Sequence, residues 1–285
     1  MGGELASVDV VVTTFNRRET TRQCLDGLSE QLGRGIDYDL GVILVDDAST
    51  DGTAALAEAY APWVRVVRTD GNLFWARSMS LGLRLAAERE PDFLLMLNDD
   101  VKLDSDAIIS SLQQHKSLPG PCVLAGSTRG SDDRAETTYG GLLLRGRRPT
   151  ALQRVGPAGP SNRSIDTFNG NFVLIPHAVY SDVGDLDGAF AHSYADIDYG
   201  LRVKRYGYNC YLMTNHVGIC DRNSTRGSYL DNELSRRIRF KHLLSPKGLP
   251  VRSQARYLRR HGGLFWPIYF AATYLRHSMR IARQM

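Results

Sequence analysis

The chain has few cysteines and no long apolar run. Its 285 residues include only Cys24, Cys122, Cys210 and Cys220, and no two of them form a CxxC pair. That argues against a disulfide framework or a zinc ribbon and fits a reducing, cytoplasmic compartment. No stretch of about 18 uncharged apolar residues occurs, so no membrane span is expected. Residues 1–12 show no basic segment leading into a long apolar run, so no signal peptide is expected either. The first apolar run ends in Thr13-Thr14-Phe15-Asn16-Arg17, where a dinucleotide site would show a glycine-rich fingerprint, and no P-loop sequence is present. A nucleotide bound here needs another counter-charge for its phosphates, and a divalent cation held by carboxylates is the usual one.

Acidic residues are missing altogether after Glu233. Beyond it lie twelve basic ones: Arg236, Arg237, Arg239, Lys241, Lys247, Arg252, Arg256, Arg259, Arg260, Arg276, Arg280 and Arg283. Subtracting these twelve charges from the formal +4 leaves −8 on the rest of the chain. Such asymmetry calls for a partner or a solvated face. Within this tail, Gly263 to Leu275 is apolar and aromatic, flanked by Arg259-Arg260 and Arg276. It is too short to span a bilayer, and Pro267 interrupts it. Basic flanks with Trp and Tyr suit a helix lying on anionic lipid. A helical hairpin packed on the main body and a dimer interface are the alternatives. No nucleic-acid module accompanies the charge, so nucleic acid is not expected.

The remainder is ordinary globular chain, 42% hydrophobic and 23% charged. Apolar runs at Val8–Val12, Leu40–Val45, Val64–Val67 and Phe93–Leu97 alternate with segments of helical spacing. The pattern predicts an α/β fold with parallel strands and right-handed crossovers. Ligands in such sheets bind beyond the carboxyl ends of the strands. The polar clusters Thr14–Arg17, Asp46-Asp47 and Asn98–Asp100 stand at such ends. From about Arg129 to Ser164, Gly, Pro, Arg and Ser dominate, which predicts a long mobile excursion with one short strand near Leu142–Leu144. A strand at Phe172–Ile175, a helix from near His177, a helix over Asp196–Arg205 and a strand at Cys210–Thr214 follow.

Several clusters carry possible chemistry, each with a plainer alternative. Asp99-Asp100 closes a buried apolar run, where adjacent acids are costly unless a cation neutralises them; a solvated turn is the other reading. Asp46-Asp47-Ala48-Ser49-Thr50-Asp51-Gly52 is acid-rich, yet Asp, Ser and Thr are also ordinary turn and cap residues. Asp196 and Asp198, two apart at a helix start, point in different directions, so one can face a cleft while the other caps. His216 is placed at a strand end before Val217-Gly218, as a ligand or as a structural histidine.

Taken in order, these segments resemble the family 2 glycosyltransferases with the GT-A fold. Thr14-Phe15-Asn16-Arg17 matches their T-x-N-R opening, and Val45 to Gly52 matches V-D-D-x-S-x-D-G. Asn72 to Gly82 is similar to N-x-G-x-a-x-x-x-N-x-G, with Ser80 where Asn is common. Asn98-Asp99-Asp100 corresponds to D-x-D, with Asn98 for the first acid. Ala195 to Arg202 corresponds to E-D-x-D-x-x-x-R, with Ala195 for the Glu, and His216-Val217-Gly218 matches H-x-G. The resemblance covers about Val8 to Gly227 and implies a mostly parallel central sheet flanked by helices, as a catalytic domain over residues 1–230. Residues 231–285 form a basic, aromatic helical extension.

The resemblance also implies roles. Thr14, Asn16, Arg17, Asp46, Asn72, Arg77 and Asp99 would bind the nucleotide. Asp100 and His216 would hold Mn²⁺ or Mg²⁺, and Asp196 would be the general base of an inverting transfer, its pKa raised by burial or by Asp198. Trp75, Asn169, Asn171 and Asp198 would meet the donor or acceptor sugar. The segment Asn72–Trp75 looks similar to bacterial rhamnosyltransferase-like members, so dTDP-rhamnose is the first expected donor and a UDP-hexose the second. The expected acceptor is a glycan or lipid-linked saccharide of bacterial surface polysaccharide synthesis. Other readings of the same residues are a metal-dependent nucleotidyltransferase, which would usually carry a glycine-rich basic N-terminal loop, and a carbohydrate-binding scaffold without activity.

Overall fold

The computed structural model describes residues 5–32, 38–132, 136–146, 148–157, 159, 161–190 and 193–283. The first half alternates as its sequence predicts: β1 (Ala6–Thr14), α1 (Arg18–Leu32), β2 (Tyr38–Asp46), α2 (Thr53–Glu58), β3 (Val64–Arg68), α3 (Phe74–Ala87), β4 (Phe93–Asn98), β5 (Lys102–Leu103), α4 (Ala107–Ser117) and β6 (Cys122–Arg129). Short strands follow: β7 (Thr137–Tyr139), β8 (Gly141–Leu144), β9 (Leu152–Val155), β10 (Arg163–Ile165) and β11 (Thr167–Phe168). The chain then forms β12 (Phe172–Pro176), α5 (His177–Val183), α6 (Ala195–Arg205) and β13 (Asn209–Ile219). It closes with α7 (Arg236–Leu243), α8 (Val251–His261) and α9 (Trp266–Arg283).

The main sheet has the order β10-β13-β6-β12-β4-β1-β2-β3, with β5 on β13 and β7 on β6. Strand side chains alternate between faces. Val8, Val10 and Val12 of β1 pack with Leu25 and Leu28 of α1, while Val11 packs on the other face with Met79 and Leu83 of α3. Both faces are covered, which is why these strands read as nearly continuous apolar runs.

Register puts the polar ends side by side. In the parallel ladders Thr14 pairs with Asp46 and Thr13 with Asn98, so the carboxyl ends of β1, β2 and β4 form one edge. β12 departs from the parallel expectation. It runs antiparallel to β4, with Phe172 opposite Leu97, and antiparallel to β6. It is entered from a small sheet, β11-β8-β9, rather than through a helical crossover, so the handedness rule for parallel pairs does not constrain it. Its reversal brings the preceding residues, Asn169–Asn171, to the same edge.

The segment expected to be one excursion with a single strand holds β7 to β10 among its described residues, with residues 133–135, 147, 158 and 160 outside the description. Strands of three or four residues are too short to show a periodicity amid Gly and Pro.

The basic tail is partly a packed hairpin. Tyr257 and Leu258 of α8 are buried in the core that α3, β4 and α6 share, and Trp266, Tyr269 and Phe270 of α9 pack against it. Arg256 and Arg260 pair with Asp187 at 2.6 and 2.5 Å, and Arg260 also pairs with Asp198 at 2.6 Å. The outer face of α9 stays open: Ile268, Leu275 and Met279 are exposed, as are Leu264 and Phe265 before it. Among the described residues no helix is long and apolar enough to cross a membrane.

Candidate active site

A cavity of about 340 Å³ opens at the shared edge of β1 and β4. Its lining includes Thr14, Arg17, Trp75, Asp99, Asp100, Asn169, Asn171 and Asp196, drawn from five separate stretches of the sequence.

The floor is the acid pair after β4. Asp99 is 5% exposed, and Arg17 Nη1 donates to its Oδ1 at 2.7 Å and to Asp100 Oδ2 at 3.2 Å. Burial pushes the Asp99 carboxyl up to about 6; Arg17 pulls against that and Asp100 adds to it. The repulsion expected between adjacent acids is therefore met first by a guanidinium. Among the described residues Asp99 Oδ2 is buried without a hydrogen-bond partner. Thr14 forms a hydrogen bond with Thr21 of α1 at 2.7 Å, which fixes the turn that presents Arg17.

The opposite wall comes from α6. Asp196 lies in its first turn, half-buried, and accepts from the backbone N–H of Gly170 at 3.0 Å and of Ile197 at 2.8 Å. Burial raises its pKa above the ordinary carboxylate value, against the backbone bonds and Asn169, which lower it. Asp198 is not among the main causes of that shift. Two positions on along the helix, it faces away from the cavity and is fully buried, bonded to Arg202 Nε at 3.0 Å, Arg260 Nη1 at 2.6 Å and His261 Nε2 at 2.8 Å. These partners outweigh burial and hold its pKa below the usual range. The expected sugar contact and pKa-raising neighbour is instead an anchor for α8.

Trp75 and Asn98 join the two walls. Trp75 Nε1 donates to Asn98 Oδ1 at 2.8 Å, so the residue standing in place of the first acid orients the indole. Asn171 Nδ2 donates to Cys220 Sγ at 3.6 Å, and the Cys220 thiol donates to Asp100 Oδ1 at 3.5 Å.

Several expected nucleotide contacts lie outside this lining. Asn16, in the left-handed region at φ 50°, accepts from Thr50 N at 2.8 Å and donates its own N–H to Ser49 Oγ at 2.8 Å, tying two turns together. Asp46 is fully buried and caps its own turn, accepting from Ser49 N at 3.1 Å, with Arg68 Nε at 3.7 Å. Asp47 lines the cavity instead and accepts from Phe74 N at 2.9 Å and Thr69 Oγ1 at 2.6 Å. Asn72 is exposed, and Arg77 donates to the Gly188 carbonyl at 2.9 Å beside a different hollow.

His216 is not brought to Asp100. β13 continues to Ile219, so His216 sits inside the strand, bonded through Nε2 to Thr137 Oγ1 at 2.9 Å. Burial, with Arg129 nearby, lowers its pKa. Gly218 is explained by packing, because a Cβ there would collide with the Lys102 carbonyl of β5. Among the described residues no group of three His, Cys, Asp or Glu is arranged around a metal position. The unpartnered Asp99 Oδ2 beside Asp100 does suit a cation that takes two carboxylates from the chain and its other ligands from a bound diphosphate.

The lining also includes Phe15, Tyr139, Asn223 and Lys247, which the motif reading passed over. Only the adjacency of Asp46 and Asp47 and the lack of acids around Lys247 were visible beforehand.

Residues 9–168 match the family described as Glycosyl transferase family 2, more than half of the chain. The chain belongs to glycosyl transferase family 2. It is 25% identical over 221 residues to an N-acetylglucosaminyl-diphospho-decaprenol L-rhamnosyltransferase of Mycobacterium tuberculosis, covering 70% of this chain and 71% of that one. The fold is similar to the mannosyltransferase PcManGT from Pyrobaculum calidifontis in complex with GDP-Man and Mn²⁺. That likeness has a TM-score of 0.56 and 20% identity over 98% of this chain and 74% of the other. It is also similar to S. aureus TarS 1–349 in complex with UDP, at a TM-score of 0.57 and 15% identity over 90% of this chain and 71% of that one. The family 2 assignment and these neighbours establish the GT-A fold, with α9 as its C-terminal helix.

Proposed function

We propose that the chain is an inverting glycosyltransferase that moves a deoxyhexosyl or hexosyl group from a nucleoside diphosphate sugar to a hydroxyl of a diphosphate-lipid-linked saccharide. The observation that carries this is the convergence of Asp99, Asp100 and Asp196 on one cavity from distant parts of the chain. The rhamnosyltransferase relative supports dTDP-rhamnose as the first donor to test and a lipid-linked sugar as the acceptor.

The chemistry follows from the two walls. Arg17 brings positive charge to the acid floor, and Trp75 offers an apolar face beside it. Asp99 and Asp100 would hold Mn²⁺ or Mg²⁺, which would neutralise charge developing on the departing diphosphate. Asp196 is oriented by two backbone N–H groups and retains lone pairs for the acceptor hydroxyl. As that oxygen attacks the anomeric carbon, its proton passes to Asp196. The bond to the diphosphate breaks on the opposite face and its electron pair leaves with the diphosphate, so the configuration inverts. The raised pKa makes Asp196 a stronger base than an exposed carboxylate.

The tail supports contact with a lipid surface. Leu264 is 95% exposed and Ile268 63%. Arg276, Arg280 and Arg283 on the same helix as Ile268, and Arg252 on α8, show no ion pair among the described residues. Exposed apolar side chains beside unneutralised cations match an anionic bilayer, where a lipid-linked acceptor would reside.

The test is nucleoside diphosphate release from dTDP-rhamnose, UDP-glucose, UDP-N-acetylglucosamine and GDP-mannose, with and without a polyprenyl-diphosphate N-acetylglucosamine acceptor. Acceptor-dependent release from one donor is expected. No acceptor-dependent release from any donor would overturn the proposal.

A further inference from the structure

The cavity is mainly acidic, yet among the described residues two cations line it. Arg17 is committed to Asp99 and Asp100. The other is Lys247, which comes from the C-terminal extension and is exposed, with no ion pair among the described residues.

Its backbone is held in place. Lys247 sits in the turn between α7 and α8, closed by Gly248 N donating to Ser245 O at 2.9 Å and Leu249 N to Leu243 O at 2.6 Å. Ser193 Oγ donates to the Gly248 carbonyl at 3.1 Å, and the Tyr274 hydroxyl to the Leu249 carbonyl at 2.7 Å. Gly248 has no room for a side chain, because a Cβ would collide with the His242 and Leu243 carbonyls. The turn is thus pinned by the segment that leads into α6, which carries Asp196, and by α9. A rigid turn presents a hydrated ammonium on a flexible stem at the rim of an acidic cavity. A cation there is free to meet an anion that arrives with a ligand.

We propose that Lys247 binds a diphosphate in this cavity, so that the C-terminal extension supplies part of the substrate site. The inference rests on the donor reading given above. The diphosphate belongs either to the sugar nucleotide or to a diphosphate-linked acceptor, and the two sources separate experimentally.

The experiment compares wild type, Lys247→Ala, Lys247→Arg and the remote control Lys116→Ala. It measures calorimetric binding of dTDP, UDP and the matching nucleosides, and acceptor KM with diphosphate-linked and diphosphate-free acceptors. Lys247→Ala should weaken one diphosphate ligand by about tenfold or more, as loss of a charge-assisted hydrogen bond does, and Lys247→Arg by much less. Weaker dTDP or UDP with unchanged nucleosides assigns the contact to the donor. A raised KM confined to the diphosphate-linked acceptor assigns it to the acceptor. Unchanged values in both arms overturn the inference, and so does an equal loss for ligands that lack a diphosphate. Failure of the donor reading itself shows differently, as wild type that binds no nucleoside diphosphate.

Discussion

Arg17 Nη1 lies 2.7 Å from Asp99 Oδ1, so the acid pair that ends β4 carries its own positive partner before any ligand arrives. That contact leaves Asp99 Oδ2 buried and unpartnered, and burial still outweighs the guanidinium in setting its ionisation. The floor of the cavity is therefore held at an electrostatic cost, which a bound cation or diphosphate–cation complex would relieve.

Asp99 should make stability depend on pH. Its folded pKa of about 6 stands above the 3.8 of a free carboxyl. The stabilisation from its neutral form is full below the lower value and lost as pH rises through the upper one. Asp99→Asn stays neutral throughout. Its Tm relative to wild type should rise by several degrees between about pH 4.5 and pH 7.5, from a contribution on the order of 2 kcal/mol. A difference that stays constant with pH would contradict the assignment.

Asp198 should be structural. Removing its charge leaves Arg260, Arg202 and His261 without their shared buried partner. Asp198→Asn should cost about 3–5 kcal/mol, a Tm fall of roughly 10 °C. Limited proteolysis should find α8 and α9 cleaved before the sheet. Normal Tm and protease resistance would show that the tail is held by its apolar packing alone.

His216 should be dispensable for the chemistry. It is bonded to Thr137 inside β13 and does not line the cavity. In His216→Ala, turnover and its activation by Mn²⁺ should stay within about twofold of wild type, as for substitutions away from a site. A large rise in the Mn²⁺ concentration needed for half activity would return His216 to the role its H-x-G motif implies.

Trp75 should report on ligand binding. Its indole N–H is fixed by Asn98 at the cavity wall. A Phe at position 75 keeps the apolar face and loses that bond, so donor KM should rise several-fold with little change in Tm. Titration of wild type with dTDP or UDP should change tryptophan fluorescence, and the 75→Phe variant should lose that change. A signal that persists without this indole would place the ligand elsewhere.

The parallel half of the fold was legible because its strands are largely apolar, and β1, β2 and β4 end in Thr, Asp and Asn. Register then placed those ends together, as the motif order implied. β12 was visible as a strand, but uniform burial over Phe172–Pro176 carries no sign of direction. Asp196 and Asp198 were rightly expected to diverge, since successive helical residues turn by about 100°. What Asp198 faces was hidden, because two of its three partners, Arg260 and His261, stand more than sixty residues later. His216 was misplaced because β13 runs past Thr214, with register shifts between Leu212 and Gly218 that hide the alternation. Asp46 and Asp47 were indistinguishable in sequence; the turn decides which one faces the cavity. Lys247 lay in a tail read for its summed charge and its apolar segment, not for its single residues.

The most direct test of the account is the Asp196→Asn variant, followed by transfer rate and donor-nucleotide affinity in the same preparation. The amide keeps the shape and removes the base. Turnover should fall about 10²–10⁴-fold, with the nucleoside diphosphate Kd within about twofold of wild type. In wild type the acidic limb of the rate should lie above the ordinary carboxylate pKa, with activity rising as Asp196 loses its proton. Turnover close to wild type in the variant would contradict the assignment of Asp196 as the group that takes the acceptor's proton.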